Sequence, residues 1–530
     1  MNKIVKKATT LFLAASVSVA CASCGEGGGI GLGKKKTKTG EGVLNISLFE
    51  GGYGTEWLEN LATAYSAETG TEVNIKTFVT YTQPTAQIKG DIYVCDLLFN
   101  ITNNVREGIA GTYLPLDDVL YSKPSADESK TIYEKLGTTA QDYVFKTSET
   151  DSGHCYQLPF AYGKEGLFYN KTSIDALLGA GAYELPRTTD ELIAFCDNVK
   201  AHNGWGFVHT NAVEAEYYTI LRDCLAIQYM GSKAYKDFYN GIYTNANGER
   251  VFDETGDGIL GAWENAYKSS LEVCSTLVNA DNGYTPPSAK TMDFMKAQDY
   301  FWGVTSQNDY RPTAFMINGD WLYSEVEYLS EAKAADIRML RMPLNSRIID
   351  KLSSVSTDAQ LSECVKYVDS LIDGGNVAKP TYLSDDDAAT ILDARKICIS
   401  THMQQTAVIP KNTANKTEAE NFLKFMASDE GCRIYSRFEL GMNSPYNAAI
   451  YDESAINNFT RSVNEMTKTA IYCGGGNTIM SVVGGIWLFS CQYFNAKLSR
   501  GDTPISMWNE NYNKFKGSYP SVIENSKIVE

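Results

Sequence analysis

The chain has 530 residues, of which 43% are hydrophobic, 12% aromatic and 21% charged. This balance supports a large folded core and excludes both a disordered chain and a protein with many membrane spans. The 47 basic and 64 acidic residues leave a formal net charge of −17 at pH 7, which argues against nucleic acid as the main partner. The 12 cysteines are too sparse over this length for a disulfide-stapled scaffold.

The amino terminus has the pattern of an export signal. Lysines within the first seven residues precede an uncharged apolar stretch, 8–20, that is too short to cross a membrane as a helix. Small residues then precede Cys24 in an order that resembles a bacterial lipobox. We therefore predict a lipoprotein signal peptide over 1–23 with the lipid on Cys24, and Cys21 remains the alternative acceptor.

The next segment, residues 24–42, is predicted to be a flexible tether. It is rich in glycine and lysine and contains almost no side chains that could pack in a core. Such a tether would hold the following globular body close to the outer face of the bacterial cell membrane, to which its positive charges are attracted.

From residue 43 the pattern is that of a folded domain. The apolar run 43–49 predicts a buried strand that ends at a glycine-rich turn. The apolar spacing over 57–65 predicts a helix with Trp57 in its buried stripe and Gly70 as its cap, and a second strand follows over 73–79. This β-α-β order places the glycine-rich turn at the carboxyl edge of a sheet, where ligands bind in open α/β folds.

Later segments continue the alternation of strands and helices. A further strand is predicted over 92–99, and a helix with a clear apolar face follows near 189–199. Another helix is predicted to begin after Asn415, with Glu418 as the partner of this N-cap in a capping box. A helical pattern also occurs over 361–371. The fold class is therefore α/β.

Five short segments add a family resemblance to this pattern. They are 57–73 with the spacing W-x3-L-x3-Y, 114–118 reading LPLDD, 158–171 running from LP to YNK, 314–321 reading AFMINGDW, and 407–412 reading AVIPKN. In this order they resemble the extracellular solute-binding proteins of bacterial ABC importers, in the carbohydrate branch related to maltose-binding protein. The segment 352–395 is longer than this resemblance leads us to expect.

The resemblance implies a two-lobe, periplasmic-binding-protein-like (type II) fold with a hinge and an interlobe ligand cleft. It places lobe 1 at 43–155 and 345–443, and lobe 2 at 156–344 and 444–530. It also implies a protein without catalytic activity that captures a mono- or oligosaccharide and delivers it to the permease subunits of an ABC transporter.

A sugar cleft needs aromatic side chains beside carboxylates and amides, because sugar rings present apolar faces and hydroxyl edges. Tyr53 is a candidate because the glycines of its turn let backbone amides approach a ligand, although a solvated turn explains it equally well. The resemblance implies that Trp321 and Trp487 stack on the sugar. The full set of candidates is Tyr53, Glu216, Tyr217, Asp320, Trp321 and Trp487.

The segment 253–264 has the spacing of a calcium-binding loop. Its oxygen donors would be Asp253, Thr255, Asp257 and Glu264, at loop positions 1, 3, 5 and 12. An acidic turn that caps a helix explains the same residues. We therefore expect no cofactor and keep calcium as a weak alternative.

Few residues favour an enzyme. The 4 histidines show no metal-ligand spacing, and no nucleophile elbow, P-loop or Cys-x-x-Cys pair follows the signal region. The cysteines after Cys24 are dispersed, several on apolar faces, and are predicted to be buried free thiols. Two alternatives stay open: a surface lipoprotein glycoside hydrolase, which would need two carboxylates around a glycosidic bond, and a sugar-sensing lipoprotein without an importer.

Overall fold

The chain alternates strands and helices around two mixed sheets. A computed structural model describes residues 42–50, 52, 54–101, 105–145, 152–161, 163–209, 217–305, 307–326, 335–400, 405–438, 444–446, 456–473 and 501–526. The strands are β1 Val43–Phe49, β2 Glu72–Phe78, β3 Leu97–Asn100, β4 Leu158–Pro159, β5 Lys164–Asn170, β6 Trp205–Val208, β7 Ile242–Thr244, β8 Arg250–Phe252, β9 Thr313–Gly319, β10 Ile337–Leu340, β11 Ile397–Ser400, β12 Thr406–Val408 and β13 Ile471–Cys473.

The helices cover both faces of these sheets. They are α1 Glu56–Thr69, α2 Thr82–Lys89, α3 Val105–Ile109, α4 Asp117–Leu120, α5 Ile132–Lys135, α6 Thr138–Phe145, α7 Lys171–Leu178, α8 Thr189–Ala201, α9 Tyr218–Met230, α10 Ser232–Tyr239, α11 Asp257–Val278, α12 Phe294–Trp302, α13 Leu322–Glu325, α14 Asp358–Ile372, α15 Asp385–Arg395, α16 Lys416–Ala427, α17 Asp429–Phe438, α18 Asn458–Thr467 and α19 Pro504–Ser526. Short 3-10 turns occupy Ala280–Asn282, Pro287–Thr291 and Ser346–Lys351.

The first sheet has the strand order β2-β1-β3-β12-β4 and forms the centre of lobe 1. β1 pairs in parallel with β2 and β3, whereas β12 pairs antiparallel with β3 and β4. The predicted β-α-β unit is confirmed: Trp57 is 1% exposed in the core, and Gly70 ends α1 in the left-handed conformation that favours glycine. The strand predicted over 92–99 is shorter than expected, since pairing begins at Leu97.

The second sheet has the order β13-β11-β5-β9-β6 and forms the centre of lobe 2. β10 also pairs with β5, so that β10 and β11 share one edge of this strand. Side chains from β5, β9, α9 and α11 form a large apolar core on one face. The α/β fold class is therefore confirmed, with a separate core for each lobe.

Two neighbouring segments connect the sheets. One leads from β4 to β5 and the other from β11 to β12. Phe160 N donates to Gln405 O at 2.9 Å, and Ser400 Oγ donates to Gly163 O at 2.5 Å, so the two segments lie side by side. The two segments run in opposite directions, since β4 pairs antiparallel with β12 and β5 pairs antiparallel with β11. Two adjacent crossovers of this kind form a hinge between two lobes.

The sheet pairing differs from the predicted lobe boundaries in one large segment. Residues 345–400 were assigned to lobe 1, but β11 pairs with β5 and β13 of the second sheet. Asn345 Nδ2 donates to Leu225 O at 3.1 Å and to Ser269 Oγ at 3.0 Å, which anchors the start of this segment on α9 and α11. The long segment contains α14 and α15, which have a small apolar core of their own. The remaining boundary residues stay a prediction.

The capping box predicted for α16 is wrong. Asn415 is the N-cap residue, but its side chain donates from Nδ2 to Val43 O at 2.8 Å and makes no cap bond. The Glu418 carboxylate instead accepts from Tyr65 OH at 3.0 Å and from Thr71 Oγ1 at 2.9 Å. Both residues are used in tertiary contacts, because α16 packs against α1 and β1. The buried stripe of α16 is confirmed.

The cysteines of the described residues are free and buried, as predicted. They are Cys95, Cys155, Cys196, Cys224, Cys274, Cys364, Cys398, Cys432 and Cys473. Burial raises the pKa of the Cys398 and Cys95 thiols to about 12. Such thiols pack as small apolar side chains and react slowly.

Candidate ligand-binding site

The candidate site lies between the two sheets, where the ends of their central strands face each other. In lobe 1, the turn after β1 contains Gly52. In lobe 2, β9 ends and β5 begins at the same edge, beside the hinge segments. A Cβ atom built on Gly52 would lie 3.1 Å from Glu325 Oε1, so the two lobes touch here. This is the edge at which α/β proteins bind ligands.

Trp321 follows β9 and lies across the end of this strand. A Cβ atom on Gly319 would come within 2.2 Å of the indole ring, so only glycine allows this ring position. The Tyr217 ring centroid lies 6.2 Å from that of Trp321. Each side chain is 7% exposed. The two residues therefore form a covered aromatic pair at the mouth of lobe 2.

Two carboxyl groups lie near this pair: Glu325, which is buried, and Glu165, which is half-buried. Burial raises the pKa of Glu325 to about 8, and the Gln298 amide, which donates to its carboxylate, opposes this rise. Burial also raises the pKa of Glu165 to about 8, and the nearby Asp223 adds to the effect. Both carboxyl groups are thus mostly protonated at neutral pH. A neutral carboxyl group can donate one hydrogen bond and accept others, which suits a hydroxyl partner.

The Tyr217 hydroxyl connects the aromatic and acidic parts of the site. Burial raises the pKa of Tyr217 well above its ordinary value, and the carboxyl groups of Glu325 and Glu165 raise it further. A hydrogen bond from Trp321 lowers it. The Tyr217 hydroxyl therefore stays protonated over the whole physiological range.

Asp320, the residue before Trp321, is fully buried at the start of β5. Its backbone N donates to Lys164 O at 2.9 Å, and its side chain has no exposed surface. Burial lowers the pKa of the neighbouring Lys164, whereas the charge of Asp320 raises it. Both side chains are buried at the junction of β9 and β5 and interact electrostatically there. A ligand contact of Asp320 stays a prediction.

A model of the family described as bacterial extracellular solute-binding proteins matches residues 60–459. The chain belongs to this family. The match includes strands from both sheets and both hinge segments. The resemblance found in the sequence is thereby confirmed, and the extracellular character of the family agrees with the predicted export. No curated protein sequence matches the chain.

Solved structures share this solute-binding fold. A chitin oligosaccharide binding protein gives a TM-score of 0.56 at 14% identity, over 90% of this chain and 99% of its own. A protein described with xylan utilization by the thermophilic bacterium Caldanaerobius polysaccharolyticus gives 0.58 at 15%, over 89% and 99%. The GacH receptor of Streptomyces glaucescens, described unliganded and with acarbose, gives 0.56 at 13%, over 91% and 99%. The two-lobe fold is therefore confirmed.

Several predicted positions of this solute-binding protein lie outside the described residues. These are Tyr53, Glu216, Trp487, Cys21 and Cys24. Among the predicted ligand residues, Tyr217 and Trp321 are brought together. Their roles toward a ligand, like those of the other candidates, stay predictions.

The candidates predicted from the sequence do not include Glu325, Glu165 or Gln298, the polar side of the site. Glu325 lies four residues after Trp321, one helical turn away, and this spacing could have indicated it. Glu165 lies in the hinge-proximal segment that carried the family resemblance. Gln298 had no local signal, because α12 reaches the site only through its packing beside β9.

The predicted calcium loop of this solute-binding protein is used for local contacts. The Asp253 carboxylate accepts from the backbone N–H groups of Gly256 and Ile259, each at 2.8 Å, at the start of α11. Asp257 forms an ion pair with Lys516 at 2.9 Å. Within the described ranges, no group of three or more His, Cys, Asp or Glu side chains is placed to hold a metal ion. No helix in that part of the chain is long and apolar enough to cross a membrane.

Proposed function

We propose that the protein is a lipid-anchored extracellular binding protein that captures a carbohydrate between its lobes and delivers it to an ABC transporter permease. Family membership supports capture of a solute outside the cell. The neighbours named above carry descriptions of chitin oligosaccharide, xylan and acarbose, which supports a carbohydrate. No bond is made or broken in this function.

The observation that carries the proposal is the aromatic pair beside neutral hydrogen-bonding groups. Tyr217 and Trp321 offer apolar ring surface for the faces of a sugar. Glu325, Gln298 and Glu165 offer donors and acceptors for hydroxyl groups. Because the lobes touch at Gly52 in this conformation, a ligand would gain access when the hinge opens.

A thermal-shift screen tests ligand capture. The panel contains chitin, xylan and malto-oligosaccharides, chosen from the descriptions of the structural neighbours. We expect at least one to raise the Tm, because a ligand at 100 times its Kd adds about 2.7 kcal/mol of stability. Trp321→Ala should remove the shift in Tm. The control is Trp205→Phe, which should keep the shift, because Trp205 pairs with the start of β9 and Trp321 follows its end. Release of reducing sugar by the protein would contradict the binding function and favour the hydrolase.

The anchor needs a separate test. We expect Cys24→Ser to move the protein from the membrane fraction to the soluble exported fraction, because lipidation requires the acceptor thiol. Cys21→Ser is the matched control and should leave the protein in the membrane fraction. The opposite pattern would make Cys21 the acceptor, and no change in either variant would contradict lipid anchoring.

A further inference from the structure

One contact joins the two lobes away from the hinge. Gly52 belongs to the turn after β1, and Glu325 belongs to α13 after β9. A Cβ atom on Gly52 would lie 3.1 Å from Glu325 Oε1 and 3.7 Å from both Cγ and Cδ. Gly52 also has φ +82°, a conformation that favours glycine. Both the backbone conformation and the space at this position therefore depend on the missing side chain.

The Glu325 carboxyl group is covered from both lobes. It is 5% exposed and accepts from the Gln298 amide on its lobe 2 side, while its Oε1 faces Gly52 of lobe 1. Among the described residues, the titratable group that interacts with it is the Tyr217 hydroxyl, which stays neutral. Within the described residues, burial and the Gln298 hydrogen bond shift the pKa of Glu325, and no charged partner contributes. The described groups that make this contact are thus neutral at pH 7.

We propose that Gly52 and Glu325 form a closing contact that sets the balance between the open and closed forms and, through it, the affinity for ligand. The part concerning affinity rests on the proposed function. An opening movement at the hinge would separate the two residues and return the carboxyl group to water. The contact therefore contributes to the closed form only, which is the condition for shifting such an equilibrium.

Closure also takes up a proton in this proposal. The pKa of Glu325 is about 8 in the covered state and near 4.5 for a free glutamate. Between these two pH values Glu325 ionises in the open form but stays protonated in the covered form, so ionisation stabilises only the open form. The equilibrium constant for closure therefore falls as the pH rises, by up to about tenfold per pH unit. Above about pH 8 Glu325 is ionised in both forms, and the closure equilibrium no longer changes with pH.

Small-angle X-ray scattering of the ligand-free full chain tests the contact without any sugar. We expect Gly52→Ala to increase the radius of gyration, because its methyl group meets the Glu325 carboxylate. Gly54→Ala is the matched control: it has φ +68° in the same turn, but nothing lies within 4 Å of its Cβ. Equal radii for these two variants, with both folded by circular dichroism, would overturn the proposal.

A double-mutant cycle tests the partner. Gly52→Ala should have little effect in a Glu325→Ala background, where the clash is absent. Glu325→Gln should keep the compact form and remove the rise in radius between pH 5 and pH 8. Additive effects, or an unchanged pH profile, would contradict the role of Glu325. With a sugar from the screen, Gly52→Ala should weaken binding about fivefold or more relative to Gly54→Ala. The failure of every sugar would leave the scattering result standing and count against the proposed function instead.

Discussion

Asp96 connects three segments of lobe 1 through one buried carboxylate. Its Oδ2 accepts from the backbone N–H of Asn45 at 3.0 Å, in β1. Its Oδ1 accepts from the Thr413 hydroxyl and from the Ala414 N–H, each at 2.9 Å, just before α16. The side chain has no exposed surface. A charged acceptor surrounded by donors is strongly favoured in such a position.

Replacing this carboxylate should destabilise the protein. We expect Asp96→Asn to lower the free energy of unfolding by about 3 kcal/mol, because the amide NH2 would face donors in place of an acceptor. Urea unfolding at constant pH measures the change. Asp91→Asn is the control, since Asp91 is exposed and its carboxylate lies 3.9 Å from the Lys411 ammonium group, the distance of a weak ion pair. Equal losses for both variants would contradict the role of Asp96.

The local sequence pattern predicted the aromatic residues of the site, Trp321 and Tyr217, but not its carboxyl groups. Trp321 could be found because it follows a strand with a recognisable motif. Glu325 and Glu165 resemble many other carboxylates in an acidic chain, and burial distinguishes them. Burial results from contacts between segments that are distant in sequence, so it cannot be predicted from composition and residue spacing.

Helix α19 completes the core of lobe 2 at the level of elements. Trp508 stacks on Tyr267 of α11 with ring centroids 5.7 Å apart and is 1% exposed. Further along α19, Tyr519 OH donates to Asp253 O at 2.9 Å. The helix therefore holds α11 and the turn that precedes it.

Removal of the stacked ring tests this role of α19. We expect Trp508→Ala to lower the free energy of unfolding by about 4 kcal/mol, the usual cost of deleting a large buried ring. Ile505→Ala in the same helix is the control, because Ile505 is 55% exposed, and should change stability by less than about 0.5 kcal/mol. Similar losses in both variants would show that α19 contributes through its helicity alone.

The turn before α11 gives a prediction about calcium. Because the Asp253 carboxylate already accepts four hydrogen bonds from Thr255, Gly256 and Ile259, we expect calcium to leave the Tm unchanged. Thermal melts with calcium and with a chelator measure this. Asp253→Ala should lower stability by about 2 kcal/mol, through loss of a helix cap, in either condition. A calcium-dependent rise in Tm that Asp257→Ala abolishes would instead establish a calcium site.

Helices with strong apolar periodicity were predicted correctly, whereas the side-chain bonds at their ends were predicted less well. The helix near 189–199 is confirmed as α8, with the Thr188 side chain accepting from the Glu191 N–H at its start. The capping box at Asn415 failed because both of its side chains bind other elements. A cap uses local donors, but a tertiary partner can compete for the same atoms, and sequence spacing does not reveal such competition.

The whole molecule should lose stability as the pH rises through the range in which its buried carboxyl groups resist ionisation. The pKa of Glu165 is about 8 in the folded chain and near 4.5 for a free glutamate. The unfolded chain therefore ionises first, and the contribution of Glu165 to stability falls between pH 4.5 and about pH 8.

Urea unfolding at pH 5, 7 and 9 checks this prediction against Glu165→Gln, which cannot ionise. We expect the variant to lose less stability than the natural protein between pH 5 and pH 7. The matched control is Glu420→Gln, which replaces a half-buried glutamate that pairs with the exposed Lys416 at 3.4 Å, and this variant should keep the natural pH profile. Identical profiles for all three proteins would show that the folded chain does not bury the Glu165 charge.

The sequence by itself determined the elements, the α/β class and the family, because apolar periodicity and short motifs are local properties of the chain. Only the tertiary structure decided that 345–400 joins lobe 2, that Glu418 binds Tyr65, and that Glu325 meets Gly52 across the cleft. Each of these depends on which distant segments pack together. Packing determines which charges lose their water, and this in turn sets the protonation of the site.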